Sequence, residues 1–114
     1  VDTLSGIIGD LVLRFPELKP EMLAWSLDAD MWTRRAAILH QLEYKAKTDT
    51  ELLTKIILNN LGSREFFINK AIGWSLRQYA WTNPDWVAAF VREHEAVLST
   101  LSKREATKHI PPTA

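Results

Sequence analysis

The stretch Trp32-x-x-Arg35-Ala36-x-x-Leu39, with Tyr44 five residues further on, returns 35 residues later as Phe67-x-x-Lys70-Ala71-x-x-Trp74, with Tyr79. An acid stands two residues before each leading aromatic, Asp30 and Glu65. Each copy places a cation before a small residue in a run whose apolar positions are three and four apart. That is the period of a helix with one buried stripe. Two helices per repeat of about 35–40 residues is the grain of helical solenoids of the HEAT class, in which each unit buries its stripe against the next.

Reading outward from this repeat, every other segment is helical. Leu4, Ile7, Ile8, Leu11 and Val12 keep the helical period until Phe15-Pro16, where the chain must leave the α conformation. Lys19-Pro20 opens a short helix through Leu23 and Leu27, proline being suited to a first turn. Asp28 and Asp30 precede a helix predicted over Met31 to Lys45, and Lys47-Thr-Asp49 is a turn and cap. Leu52, Leu53, Ile56, Ile57 and Leu61 form the next helix, closed by Gly62. Ser63 is placed as N-cap of a long helix to Trp81, Asn83-Pro84-Asp85 starts another through Val97, and Ser102 caps a last helix to Ile110. No strand is predicted. The expectation is an all-α, HEAT-like α-solenoid of about seven antiparallel helices, forming one domain over residues 1–114.

Composition narrows the function. Fourteen Lys and Arg balance fourteen Asp and Glu, so there is no global basic field. The balance hides an asymmetry: residues 1–30 carry six acids against two bases, and residues 31–80 carry eight bases against four acids. A local positive surplus points to an anionic partner or to a solvated helix face. Cysteine is absent, which excludes disulfides, thiolate zinc sites and a cysteine nucleophile. No apolar run approaches the ~18 residues of a membrane span, and the start carries Asp2 and Asp10 rather than the basic residues of a signal peptide. The expectation is a soluble, cytoplasmic protein without membrane contact. His40, His94 and His109 stand far apart, so no metal or other cofactor is expected. Gly6 and Gly9 lie inside a helical pattern and read as points of close helix packing.

Two places stand out. Lys70, Trp74, Arg77 and Trp81 are spaced four, three and four apart and project from one helix face. Cations flanking an aromatic stripe suit a phosphate backbone with stacking on sugar or base; equally, Trp74 belongs to the core with the cations snorkelling at its edge. Gly73, which costs about 1 kcal/mol relative to Ala inside a helix, implies a close approach there. In Arg34-Arg35, one guanidinium turns toward the packing face and needs an anion, from Asp28 or Asp30 or from an external phosphate.

The stretches Met31-Trp-Thr-Arg-Arg35-Ala-Ala-Ile-Leu-His-Gln-Leu-Glu-Tyr-Lys45, Glu65-Phe-Phe-Ile-Asn-Lys-Ala-Ile-Gly-Trp74-Ser-Leu-Arg-Gln-Tyr, Thr82-Asn-Pro-Asp-Trp-Val and Leu101-Ser-Lys-Arg-Glu105-Ala resemble, in order and in spacing, the AlkD-type DNA alkylation repair glycosylases. The resemblance covers nearly the whole chain and corresponds to the C-terminal part of the family's usual length. It implies a HEAT-like fold and a monofunctional glycosylase acting on double-stranded DNA that carries an alkylated purine.

The resemblance also implies a site. Val1-Asp2 matches the tail of a family Trp-Trp-Asp-Thr-Val-Asp stretch, which makes Asp2 the candidate catalytic acid. Arg35 matches the family arginine that contacts DNA at the lesion, and Trp74 one of its active-site tryptophans; Lys70 and Arg77 share the Trp74 face as candidate DNA contacts. A purine alkylated at N3 or N7 is already cationic and leaves without protonation, so one carboxylate and aromatic faces suffice to stabilise the sugar cation and to position water. The resemblance implies that such enzymes work on the sugar with the lesion left stacked, where most glycosylases flip the base. The alternative is a non-catalytic helical-repeat module that binds DNA or a protein partner. An apolar end left uncovered by missing repeats is expected to favour self-association of the chain.

Overall fold

The computed structural model describes residues 2–108, with side chains from residue 4 onward. Seven α-helices and two 3₁₀ turns account for the described residues, with no strand among them. Helix α1 (Asp2–Arg14) ends at Phe15, whose φ of −126° and ψ of 79° answer the proline that follows. A 3₁₀ turn at Pro16–Leu18 leads into α2 (Lys19–Trp25). Helix α3 (Met31–Leu39) starts at Asp30, whose carboxylate accepts from the Thr33 N–H at 3.0 Å. After a 3₁₀ turn at Lys45–Lys47, Asp49 caps α4 (Thr50–Leu58) in the same way through Leu52. Then follow α5 (Phe66–Ala80), α6 (Pro84–Glu93), capped by Asn83, and α7 (Thr100–Ala106), capped by Ser99.

Several boundaries depart from the sequence expectation, among them the ends of α4 at Leu58 and of α6 at Glu93, short of the expected Leu61 and Val97. Helix α3 stops at Leu39, not Lys45, because the residues beyond it are recruited by distant partners. Gln41 exchanges two hydrogen bonds with the Asp49 backbone, at 2.7 and 3.2 Å, and the Tyr44 hydroxyl donates to the Gly9 carbonyl. Lys45 then takes a left-handed φ of 53°. Helix α5 begins at Phe66 rather than at Ser63, and the Ser63 hydroxyl accepts from Glu65 N–H instead. Ser102 does not cap α7. It sits one turn inside, fully buried, donating to the Asn69 carbonyl at 2.7 Å, while Ser99 makes the cap. The expected end of this helix at Ile110 lies outside the described residues.

Helix α5 is the axis of the molecule. Its Ile68, Ala71, Ile72 and Leu76 are all inaccessible to solvent and pack with Ile38, Ile56, Ile57 and Val87. Ser75 ties it to α3 by donating to the Ile38 carbonyl at 2.9 Å. The two copies of the sequence repeat therefore lie side by side: Trp32 and Phe67 touch, ring centroids 5.1 Å apart, and Ala36 and Ala71 are both buried. The close approach implied by Gly73 is that of α7, since a Cβ there would stand 2.6 Å from the Glu105 Cβ. Gly9 likewise lets α1 meet the end of α3, where a Cβ would land on the His40 carbonyl. Gly6 corrects the sequence reading, because a Cβ there meets nothing within 4 Å. On α1, Leu4, Ile7 and Leu11 remain exposed. Among the described residues, no helix is long and apolar enough to cross a membrane.

Candidate functional site

Packing of α3 against α5 assembles one cluster from both repeat copies. The Arg35 guanidinium lies 5.4 Å from the Trp74 ring centroid and 5.7 Å from that of Phe67. The Lys70 ammonium lies 5.2 Å from the Trp74 centroid and 5.5 Å from that of Phe66. One half-buried indole thus has two cations within interaction range, a contact worth about 0.5–2 kcal/mol for each depending on desolvation. Beside it Trp32, Phe66 and Phe67 are 42%, 54% and 43% exposed, with Phe66 set edge-on to Phe67 at 5.3 Å. Exposed flat rings bordered by positive charge offer stacking faces and anion contacts in one patch.

The expected site residues divide between this patch and other partners. Arg35 is only 4% exposed, and its Nη1 donates to the Phe67 carbonyl across on α5 at 2.6 Å. The carbonyls of Asp28 and Ala29 are taken by its neighbour Arg34, at 2.8 and 3.1 Å. Lys70 and Trp74 are brought together as their spacing foretells. Arg77 borders a shallow hollow with Trp74, Leu42 and Gln78, but its Nη1 lies 3.3 Å from the Glu105 carboxylate of α7. Burial pushes the Glu105 carboxyl up, yet Lys108 and Arg77 outweigh it and hold the group below its ordinary value. Trp81 ends α5, 66% exposed. Asp2 opens α1, and its side chain lies outside those described.

Sequence reasoning missed Phe66 and the exposed pairing of Phe67 with Trp32. The repeat held the signal, for Phe67 occupies the position of Trp32 in the second copy, and both stand in the first turn of a helix where a ring gains little burial.

A cavity of about 210 Å³ opens behind this patch, between α1, the turn after α3 and Trp74. His40 forms part of its wall, 3% exposed, with Nδ1 2.6 Å from the Ala37 carbonyl. A carbonyl only accepts, so Nδ1 carries the proton and Nε2 is a bare acceptor; it has no hydrogen-bond partner among the described residues. Burial, with a smaller contribution from Lys19, holds the His40 pKa below 6.5, against the Ala37 bond and Asp49. Tyr44, also lining the cavity, is pushed up to about 12 by burial and by the nearby Asp10.

A pH dependence follows from His40. Its folded pKa lies below the unfolded value of 6.5, so as pH falls through 6.5 the unfolded chain takes up the proton first. The stability this group contributes is complete above pH 6.5 and is lost below it, down to the folded pKa, at up to about 1.4 kcal/mol per pH unit. Urea unfolding at pH 7.5 and 5.5 should show this loss in the wild type and a smaller one in His40→Gln. Equal slopes in the two proteins would remove His40 as the cause.

Residues 1–110 match the family model described as DNA alkylation repair enzyme. Among solved structures, a predicted DNA alkylation repair enzyme from Enterococcus faecalis is 42% identical with a TM-score of 0.82, the match covering 91% of this chain and 48% of that one. The chain therefore spans about half the length of that neighbour. No curated protein matches.

Proposed function

The chain belongs to the DNA alkylation repair enzyme family, and from that premise we propose that it excises N3- or N7-alkylated purines from duplex DNA by hydrolysing the N-glycosidic bond, in the manner of the AlkD-type members. The observation that carries the reading is the indole of Trp74 set between Arg35 and Lys70, with exposed rings alongside. Positive charge at this patch matches a phosphate backbone, and the rings match sugar and base faces. An alkylated purine is its own leaving group, so the protein need supply no general acid to the base. It has to stabilise an oxocarbenium-like sugar and admit a water. The Asp2 carboxylate carries the negative charge for that cation, and Trp74 offers its π face beside it. Phe66 and Phe67 give the DNA a flat contact.

Lys70 and Arg35 divide the remaining work. Lys70 is partly exposed and, among the described residues, has no carboxylate within salt-bridge distance, so it meets a phosphate. Arg35, nearly closed to solvent, holds the Phe67 backbone and the two rings in place. Lys70→Met should weaken DNA binding and make its salt dependence shallower by about one unit. Arg35→Met should leave that slope unchanged and lower excision roughly 10–100-fold through misplacement of Trp74. A slope change in Arg35→Met equal to that in Lys70→Met would make Arg35 a direct phosphate contact instead.

The test of the function is release of 7-methylguanine from methylated duplex DNA, with unmethylated duplex as control. Free base above the spontaneous background supports the reading. Tight binding without release would make the chain the non-catalytic DNA-binding module.

A further inference from the structure

We infer that Tyr44 is a positioning residue for the proposed excision: its hydroxyl, bonded to the Gly9 carbonyl, fixes the register of α1 and through it the place of Asp2 relative to Trp74. The inference rests on the excision reading and adds to it a residue that acts through another.

The site is assembled from two bodies. Arg35, Lys70 and Trp74 belong to the α3–α5 pair, which Ser75 ties together. Asp2 belongs to α1, which packs on α3. Ser5 and Gly6 of α1 line the same cavity as Trp74. Asp2 stands three and four residues before them, on the same face of the helix. Where Asp2 stands relative to the indole therefore depends on how α1 lies on α3.

Apolar contact alone leaves that undetermined. Val12 is buried and Ile8 packs against the core, but burial has no direction, and a helix resting on it is free to slide or turn slightly. A hydrogen bond does have direction. The Tyr44 hydroxyl donates to the carbonyl of Gly9, 35 residues earlier in the chain, in the middle of α1. Two contacts hold the donor and its acceptor in place. The Tyr44 ring stands edge-on to His40, with centroids 5.9 Å apart, and the missing Cβ of Gly9 lets the backbone of α1 close on the His40 carbonyl. Burial and the nearby Asp10 push the Tyr44 hydroxyl up to about 12, so it remains a donor at any pH suited to DNA.

Tyr44→Phe keeps the ring and removes the tie. Single-turnover release of 7-methylguanine from methylated duplex should fall about tenfold or more, the scale expected when a reacting group is misplaced by a fraction of an ångström to an ångström. Duplex affinity and its salt slope should stay at the wild-type values. Ser102→Ala, which deletes the buried hydroxyl bond from α7 to the Asn69 carbonyl, is the control for a general loss of stability and should keep the wild-type rate. The second arm repeats Tyr44→Phe in the Asp2→Asn chain. There it should lower the residual rate less than about twofold, because no carboxylate is left to place. An undiminished rate in Tyr44→Phe, an equal fall in Ser102→Ala, an equal fall in the Asp2→Asn background, or weakened duplex binding each overturns the inference. Global unfolding of Tyr44→Phe would do the same by making the hydroxyl structural. The two readings fail differently: no release by the wild type removes the function and this role with it, whereas equal release by wild type and Tyr44→Phe removes the role and leaves the function.

Discussion

Gly9→Ala should destabilise the chain by about 2–3 kcal/mol, although alanine is the better helix former by about 1 kcal/mol. The new Cβ would land on the His40 carbonyl oxygen, a backbone atom at the end of α3. That atom has little room to retreat, because Ala37, His40 and Tyr44 are tied together there and the Tyr44 hydroxyl is bonded to Gly9 itself. The contrast is Gly6→Ala, one turn earlier on the same helix, where a Cβ meets open space. There the propensity gain of about 1 kcal/mol should appear undiminished. Two glycines that read alike in sequence thus have opposite expected signs. Urea unfolding of both variants decides it, and destabilisation of both by the same amount would make the α1–α3 contact looser than described.

Asp2→Asn should lower single-turnover excision about 10²–10³-fold while leaving DNA binding near its wild-type value, because only the developing sugar cation needs the charge. Trp74→Ala should also cut excision sharply, but with a measurable stability loss. The ring is half-buried and packs on the core, so the loss should fall below the ~3–5 kcal/mol of a fully buried aromatic truncation. Thermal melts and single-turnover assays on both variants separate chemistry from support. Normal turnover in Asp2→Asn would take the carboxylate out of the mechanism, and global unfolding of Trp74→Ala would make the indole structural.

The parts of the fold that were legible are those governed locally. Asp30, Asp49 and Asn83 cap as their positions imply, and Phe15-Pro16 breaks the chain where it should, because a carboxylate, an amide or a proline ring acts on its own few residues. The errors lie where distant residues intervene. The α3 pattern continues past Leu39 in sequence, but Gln41 and Tyr44 find partners on Asp49 and Gly9 that no local rule supplies. Ser99 and Ser102 are equally good caps on paper, and the choice falls to the Asn69 carbonyl, which takes the Ser102 hydroxyl into the interior. The site divides along the same line. Lys70 and Trp74 lie on one helix, so their spacing brings them together. Arg35 and Phe67 enter through the packing of α3 on α5, which the repeat hints at without placing the guanidinium on a backbone carbonyl.

Lys70 over Trp74 has an optical consequence. The indole excited state responds to charge within a few ångströms, and here an ammonium stands 5.2 Å from the ring centre. If Lys70 meets a phosphate as proposed, the ammonium's withdrawal should change the ring's emission without any added dye. The chain holds five tryptophans, so replacing the exposed Trp32 and Trp81 by Phe would darken much of the background. With Trp25 and Trp86 as the remaining background, the engagement of DNA would then be followed in real time as a change in emission.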